Sequence, residues 1–252
     1  MIAFPDINPV AFQIGSIGVY WYGIAYVTGI LLGLSYAKYL SQKYSLDVTP
    51  KLLDDYLVYV IIGIILGGRI GYIIMYDPMR YMEIFQIRNG GMSFHGGVIG
   101  VGLLSYIFCK RNKINFLSLT DVVSIVAPIS IFFGRLANFV NGELYGRITS
   151  MPWGVIFPND QEHARHPSQI YEAFSEGIVL LVIMYFASSR IRQRGYNTGI
   201  FLVFYHIFRI FCELFREPDM HIGFIISNIS MGQLLSVPFL ILGLYLCQLK
   251  AK

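Results

Sequence analysis

The sequence predicts an all-α, polytopic integral membrane protein with about seven transmembrane helices, on three observations. Of its 252 residues, 55% are apolar and 13% are charged, against about 25% charged in ordinary soluble domains. Apolar stretches long enough to cross ~30 Å of hydrocarbon recur along the whole chain and leave no room for a separate soluble domain, so residues 1–252 read as one transmembrane domain. Finally, the positive residues gather in alternate loops.

The first span, 16–37, has no positive residue before it and outruns the ~7–15 apolar residues of a signal-peptide core, so it is expected to be retained. The second covers 56–75. The third, 94–109, is the shortest and opens on Phe94-His95-Gly96-Gly97, which predicts a start inside the membrane or in a thinned region. The fourth covers 122–140 and is followed by a loop, 141–169, long enough to lie over the outer face as a lid. The fifth, sixth and seventh cover 170–189, 199–215 and 229–249. Cys109, Cys212 and Cys247 lie in these apolar surroundings with neither zinc nor CxxC spacing, and read as packing residues.

Cytoplasmic loops carry the excess of Lys and Arg. Lys38, Lys43 and Lys51 follow the first span, Lys110, Arg111 and Lys113 the third, and Arg190, Arg192 and Arg194 the fifth. Lys250 and Lys252 end the chain. These are eleven of the 19 positive residues and include all seven lysines. The alternation predicts an N-terminus outside, a C-terminus in the cytoplasm and seven crossings. The eight remaining cations, Arg69, Arg80, Arg88, Arg135, Arg147, Arg165, Arg209 and Arg216, are all arginines.

Arg69, Arg135 and Arg209 fall inside spans, toward the same outer leaflet. A charge at a helix centre costs about 2.5–3.5 kcal/mol on insertion scales, so three need partners or a purpose. One reading makes them structural ion pairs with Glu172, Glu176 and Glu213. The other uses the planar fork of guanidinium, which suits a lipid phosphate better than an ammonium does. Arg135 and Asn138 share one helical face, and Arg209, Glu213 and Arg216 another. The segment Gly134-Arg135-Leu136-Ala137-Asn138-Phe139-Val140-Asn141-Gly142-Glu143-Leu144-Tyr145-Gly146-Arg147 ends a span in amides, an acid and glycines, a costly composition unless it lines a cavity.

That segment closely resembles the signature of bacterial prolipoprotein diacylglyceryl transferases, roughly GRxGNFxNGExxG. Trp21-Tyr22-Gly23, Leu66 through Tyr72, Gly91 through Gly97, Arg165 through Glu172, Arg209 through Asp219 and Ser230 through Gln233 are similar to the same family in order and spacing. Ala137 departs from the family's usual glycine, and Tyr145 from its common tryptophan.

The resemblance implies transfer of the diacylglyceryl group of phosphatidylglycerol to the lipobox cysteine of a preprolipoprotein, with neither a metal nor an organic cofactor. It implies catalytic roles for His95, Arg135 and Arg209, and substrate contacts from Tyr22, Asn138, Glu143, Gly146, Arg147 and Glu213. The thiol needs a base, for which His95 leads and Glu143 and Glu213 are rivals. His166, Glu172 and Arg69 match family motifs but rank first as interhelical supports. The expected setting is a monomer in the bacterial inner membrane, its site toward the outer leaflet, with lipid and signal peptide as partners and no nucleic acid. A transporter or channel for an anionic substrate is the alternative, and an intramembrane protease lacks its Gly-x-Ser-Gly context.

Overall fold

The computed structural model describes residues 2–5, 7–75, 81, 84, 91–217, 224–226 and 229–249. Arg80 and Arg88, the terminal Lys250 and Lys252 used above for orientation, and the end of the 209–219 motif lie outside the described residues. Seven long helical stretches are present among those described: α1 (Trp21–Tyr44), α2 (Pro50–Met75), α3 (Phe94–Asn112), α4 (Phe116–Val140), the continuous stretch Ser168–Arg190, α7 (Tyr196–Glu213) and α8 (Met231–Gln248). The fifth stretch runs as α5 (Ser168–Glu172), a π-helical turn (Ala173–Val179), α6 (Leu180–Ala187) and a closing 3-10 turn. Among the described residues, four segments are long and apolar enough to cross a membrane: Pro50–Ile74, Phe116–Val140, Ser168–Arg190 and Met231–Gln248.

The chain forms two compact units, one of residues 37–119 and one of residues 1–36 with 120–252. In the first, α2 and α3 meet along glycines. A Cβ on Gly71 would fall 2.5 Å from Gly96 Cα, and one on Gly63 2.9 Å from Val101 Cα, so only glycine permits this backbone approach. Ser93 caps α3 by accepting from the Gly96 amide at 3.1 Å, and Lys110 and Arg111 complement the dipole of its last turn. The third span is therefore a helix of 19 residues that starts at Phe94 and runs beyond residue 109. Tyr56 and Ser105 share a hydrogen bond of 2.7 Å across the pair, and buried Arg69 donates from Nη1 to the Gly91 carbonyl at 3.2 Å.

In the second unit, the expected first span is corrected at its start. Residues 17–20 form a strand, β3 (Ile17–Tyr20), paired antiparallel with β2 (Val10–Ile14) around Gly15 at φ 61°, and the helix begins only at Trp21. Its N-terminal half packs on α4, where a Cβ on Gly29 would meet Ser130 Cα at 2.8 Å. The 141–169 segment is a folded element rather than an open loop. It contributes β4 (Val155–Phe157) and β5 (Asp160–Arg165) to a sheet of order β1-β4-β5, with β1 (Ile2–Ala3) parallel to β4. Phe4, Phe139, Phe157 and Tyr145 pack at 5.1–6.0 Å between ring centres and tie this sheet to the end of α4. At the opposite end of α4, buried Asp121 caps α7, accepting from the amides of Gly195 at 2.6 Å and Thr198 at 2.7 Å.

Candidate active site

Helix α4 ends at Val140, one turn beyond Arg135 and Asn138. The chain then turns back through Gly142 at φ 65° and Leu144 at φ 59°, left-handed backbone in which glycine is the easy occupant. This turn carries Glu143 back over the helix end, where Glu143 Oε1 accepts from Asn138 Nδ2 at 2.9 Å and Asn141 Nδ2 at 3.3 Å. Gln169 and Ser168 hold the turn from the start of α5, donating to the Glu143 carbonyl at 2.6 Å and the Leu144 carbonyl at 3.0 Å. The two amides and the acid singled out in the signature segment thus form one hydrogen-bonded group.

Gly146 lies in an antiparallel bridge with Arg216, and a Cβ there would sit 2.7 Å from His166 Cβ. The next residue, Arg147, donates from Nε to the Arg216 carbonyl at 3.0 Å and from Nη2 to the Glu213 carbonyl at 3.3 Å. Its fork therefore satisfies carbonyls left open at the end of α7.

The arginines expected inside the spans meet carboxylates. Arg135 splits its fork, with Nη1 3.0 Å from Glu172 Oε2 and Nη2 3.1 Å from Glu176 Oε2. Arg209 Nη1 donates to Glu172 Oε1 at 2.9 Å, while its Nη2 pairs with Glu213. Arg216 Nη1 lies 3.4 Å from Glu172 Oε1. Glu172 and Glu176 are fully buried, where an ionised carboxylate persists only when paired. Three guanidinium groups face three carboxyl groups, so their formal charges balance. The structural-pair reading of the arginines therefore describes their contacts in this structure.

Glu172 and Glu176 stand where the ion-pair reading of the sequence puts them, as buried counter-ions four residues apart. The π turn at Ala173–Val179 follows directly on Glu172 and itself carries Glu176, and widened turns of this kind concentrate at functional sites. Tyr205, on α7, is not singled out by the sequence motifs, yet it is within electrostatic reach of Arg135, Arg209, Glu172 and Glu176. Glu213 is fixed further by Ser230, the N-cap of α8, whose Oγ donates to Glu213 Oε2 at 2.7 Å.

Tyr22 opens α1, its hydroxyl 3.2 Å from that of Tyr26, and lies within electrostatic reach of Glu143 and Arg135. The structure thus places Tyr22, Arg135, Asn138, Glu143, Gly146, Arg147, Arg209 and Glu213 in one unit. His95 belongs to the other, exposed in the first turn of α3. His166 Nδ1 is 3.1 Å from the Tyr171 hydroxyl, and burial pushes its imidazole below the ordinary range. Among the described residues, no group of three or more His, Cys, Asp or Glu side chains is arranged to hold a metal ion.

A sequence-family model described as prolipoprotein diacylglyceryl transferase matches residues 9–249. The chain belongs to that family. Curated relatives named phosphatidylglycerol–prolipoprotein diacylglyceryl transferase agree with it over essentially their whole length. The Rickettsia bellii protein is 53% identical, covering 97% of this chain and 96% of the relative. The Rickettsia felis protein is 52% identical over the full length of both, and the Rickettsia typhi protein 51% identical over 98% and 99%. This prolipoprotein diacylglyceryl transferase family match extends from the β2–β3 hairpin through α8, so it includes every residue of the Arg–Glu cluster. The transporter reading finds no support among these relatives.

Proposed function

We infer that this chain transfers the diacylglyceryl group of phosphatidylglycerol to the lipobox cysteine of preprolipoproteins, the first step of lipoprotein maturation. The observation that carries this is full-length identity of about half to relatives bearing that name. In the reaction, a thiolate sulfur attacks the glycerol carbon bonded to the phosphate oxygen. The C–S bond forms as the C–O bond breaks, and glycerol phosphate leaves with the bond's electron pair. The thiol proton passes to a base.

Arg135 and Arg209 stabilise the leaving phosphate, with Asn138 adding a hydrogen bond. Preorganised donors in a site of low dielectric serve this purpose best. In the resting protein the carboxylates of Glu172 and Glu176 occupy these forks, holding them in place until a lipid phosphate competes. Tyr22, Glu143, Gly146, Arg147 and Glu213 shape and line the substrate site. Glu143 accepts from two amides, and Glu213 from Arg209 and Ser230. Glu213 therefore has both oxygens engaged, whereas both contacts of Glu143 fall on Oε1, so His95 takes the thiol proton with Glu143 as its rival. The protein works as a monomer in the bacterial inner membrane, with seven crossings, the N-terminus outside and the site toward the outer leaflet. The lysine distribution supports that orientation.

Purified protein in detergent should lipidate a lipobox peptide only when phosphatidylglycerol is supplied, releasing glycerol phosphate in equal amount. Absence of the thioether product under these conditions would refute the assignment.

A further inference from the structure

The tip of the outer segment, residues 148–153, is apolar and exposed, and nothing in the transfer reaction uses it. Ile148, Met151 and Trp153 are 57%, 45% and 49% exposed, and no charged residue occurs between Arg147 and Asp160. Its depth is set by a hydrogen bond: Trp153 Nε1 donates to the Tyr171 hydroxyl at 2.8 Å, and Tyr171 lies in the first turn of the membrane-crossing stretch Ser168–Arg190. The contact continues down the helices. The Tyr171 ring is 5.7 Å from Phe215, which is 5.4 Å from Phe211, a side chain 55% exposed on α7.

The tip also satisfies much of its own backbone. Thr149 N donates to the Ala164 carbonyl, Met151 N to Thr149 Oγ1, and Gly154 N to the Met151 carbonyl, while Pro152 has no N–H to satisfy. Loss of water there is accordingly inexpensive. An indole bonded at its N–H and otherwise apolar suits the boundary between headgroups and acyl chains.

We propose that the 148–153 tip is a membrane anchor, its side chains entering the lipid–water boundary of the leaflet in which α5 begins. The occupant of this surface is the bilayer in which the protein sits, so the inference is independent of the transfer activity.

The chain has two tryptophans, and Trp21→Phe leaves Trp153 as the sole emitter. In phosphatidylglycerol–phosphatidylcholine vesicles, acyl chains brominated near the headgroup should reduce its fluorescence relative to unbrominated lipid, as for an interfacial ring. Should Trp21→Phe fail to fold, the difference between the wild type and Trp153→Phe reports the same quantity. No loss of Trp153 emission with brominated lipid overturns the proposal, whether the ring then proves open to aqueous acrylamide or shielded from both quenchers.

Discussion

Arg135 offers its two terminal nitrogens to two different carboxylates, Glu172 and Glu176, a geometry that a lysine's single charge cannot reproduce. Arg135→Lys should therefore express and insert normally yet lose about 10²–10³-fold in turnover, the scale of a lost oxyanion donor. Normal turnover would remove Arg135 from the phosphate site. His95 is tested differently, since a base that raises the thiolate fraction matters most below the ordinary thiol pKa of about 8.5. His95→Asn should then cost more activity at neutral than at alkaline pH, and a loss independent of pH would assign it a positional role. At this scale the sequence is informative where spacing is local. Arg135 with Asn138, and Arg209 with Glu213 and Arg216, are legible from helical periodicity. Glu172 binding three arginines from two other segments is not, because nothing local links position 172 to 135 or 209.

The 141–169 segment, expected as a loop over the outer face, is held by pairing between residues 146–149 and 164–166. His166 sits in this pairing as a neutral imidazole against the Tyr171 hydroxyl, its pKa pushed below the ordinary 6.5 by burial. A folded value below the unfolded one gives stability that is fully present above 6.5 and is lost as pH falls toward the folded value. Amide protection in 147–149 and 164–166 should thus weaken as pH falls below 6.5, and His166→Phe should abolish that dependence. Asp160, held low chiefly by the hydrogen bond from Arg165, acts only below 3.8 and does not contribute in this window. Helix ends at Met75 and Val140 are legible because hydropathy stops there. The β2–β3 hairpin is not, since Ile17-Gly18-Val19-Tyr20 continues the apolar run of α1 without a break. Helices such as α1 and α3 also extend past their apolar runs, because Lys and Gln sustain a helix after hydrocarbon has ended.

Among the described residues, seven long helices and a cluster of three arginines facing three acids fit a membrane enzyme that handles an anionic lipid, and four helices meet the length and apolarity of a span outright. The remaining three carry more polar residues, and their crossing is part of the proposal, on the alternation of lysines. Cysteines introduced at Gln42 and Asn112 should label only from the cytoplasmic side, and one at Asn141 only from outside; labelling of all three from one side would overturn the seven-crossing topology. The most direct test of the central claim is a structure of the protein with bound phosphatidylglycerol. The lipid phosphate should lie within hydrogen-bond distance of both Arg135 and Arg209, with at least one of their contacts to Glu172 or Glu176 opened. A phosphate bound elsewhere, with all of those ion pairs intact, would contradict the account.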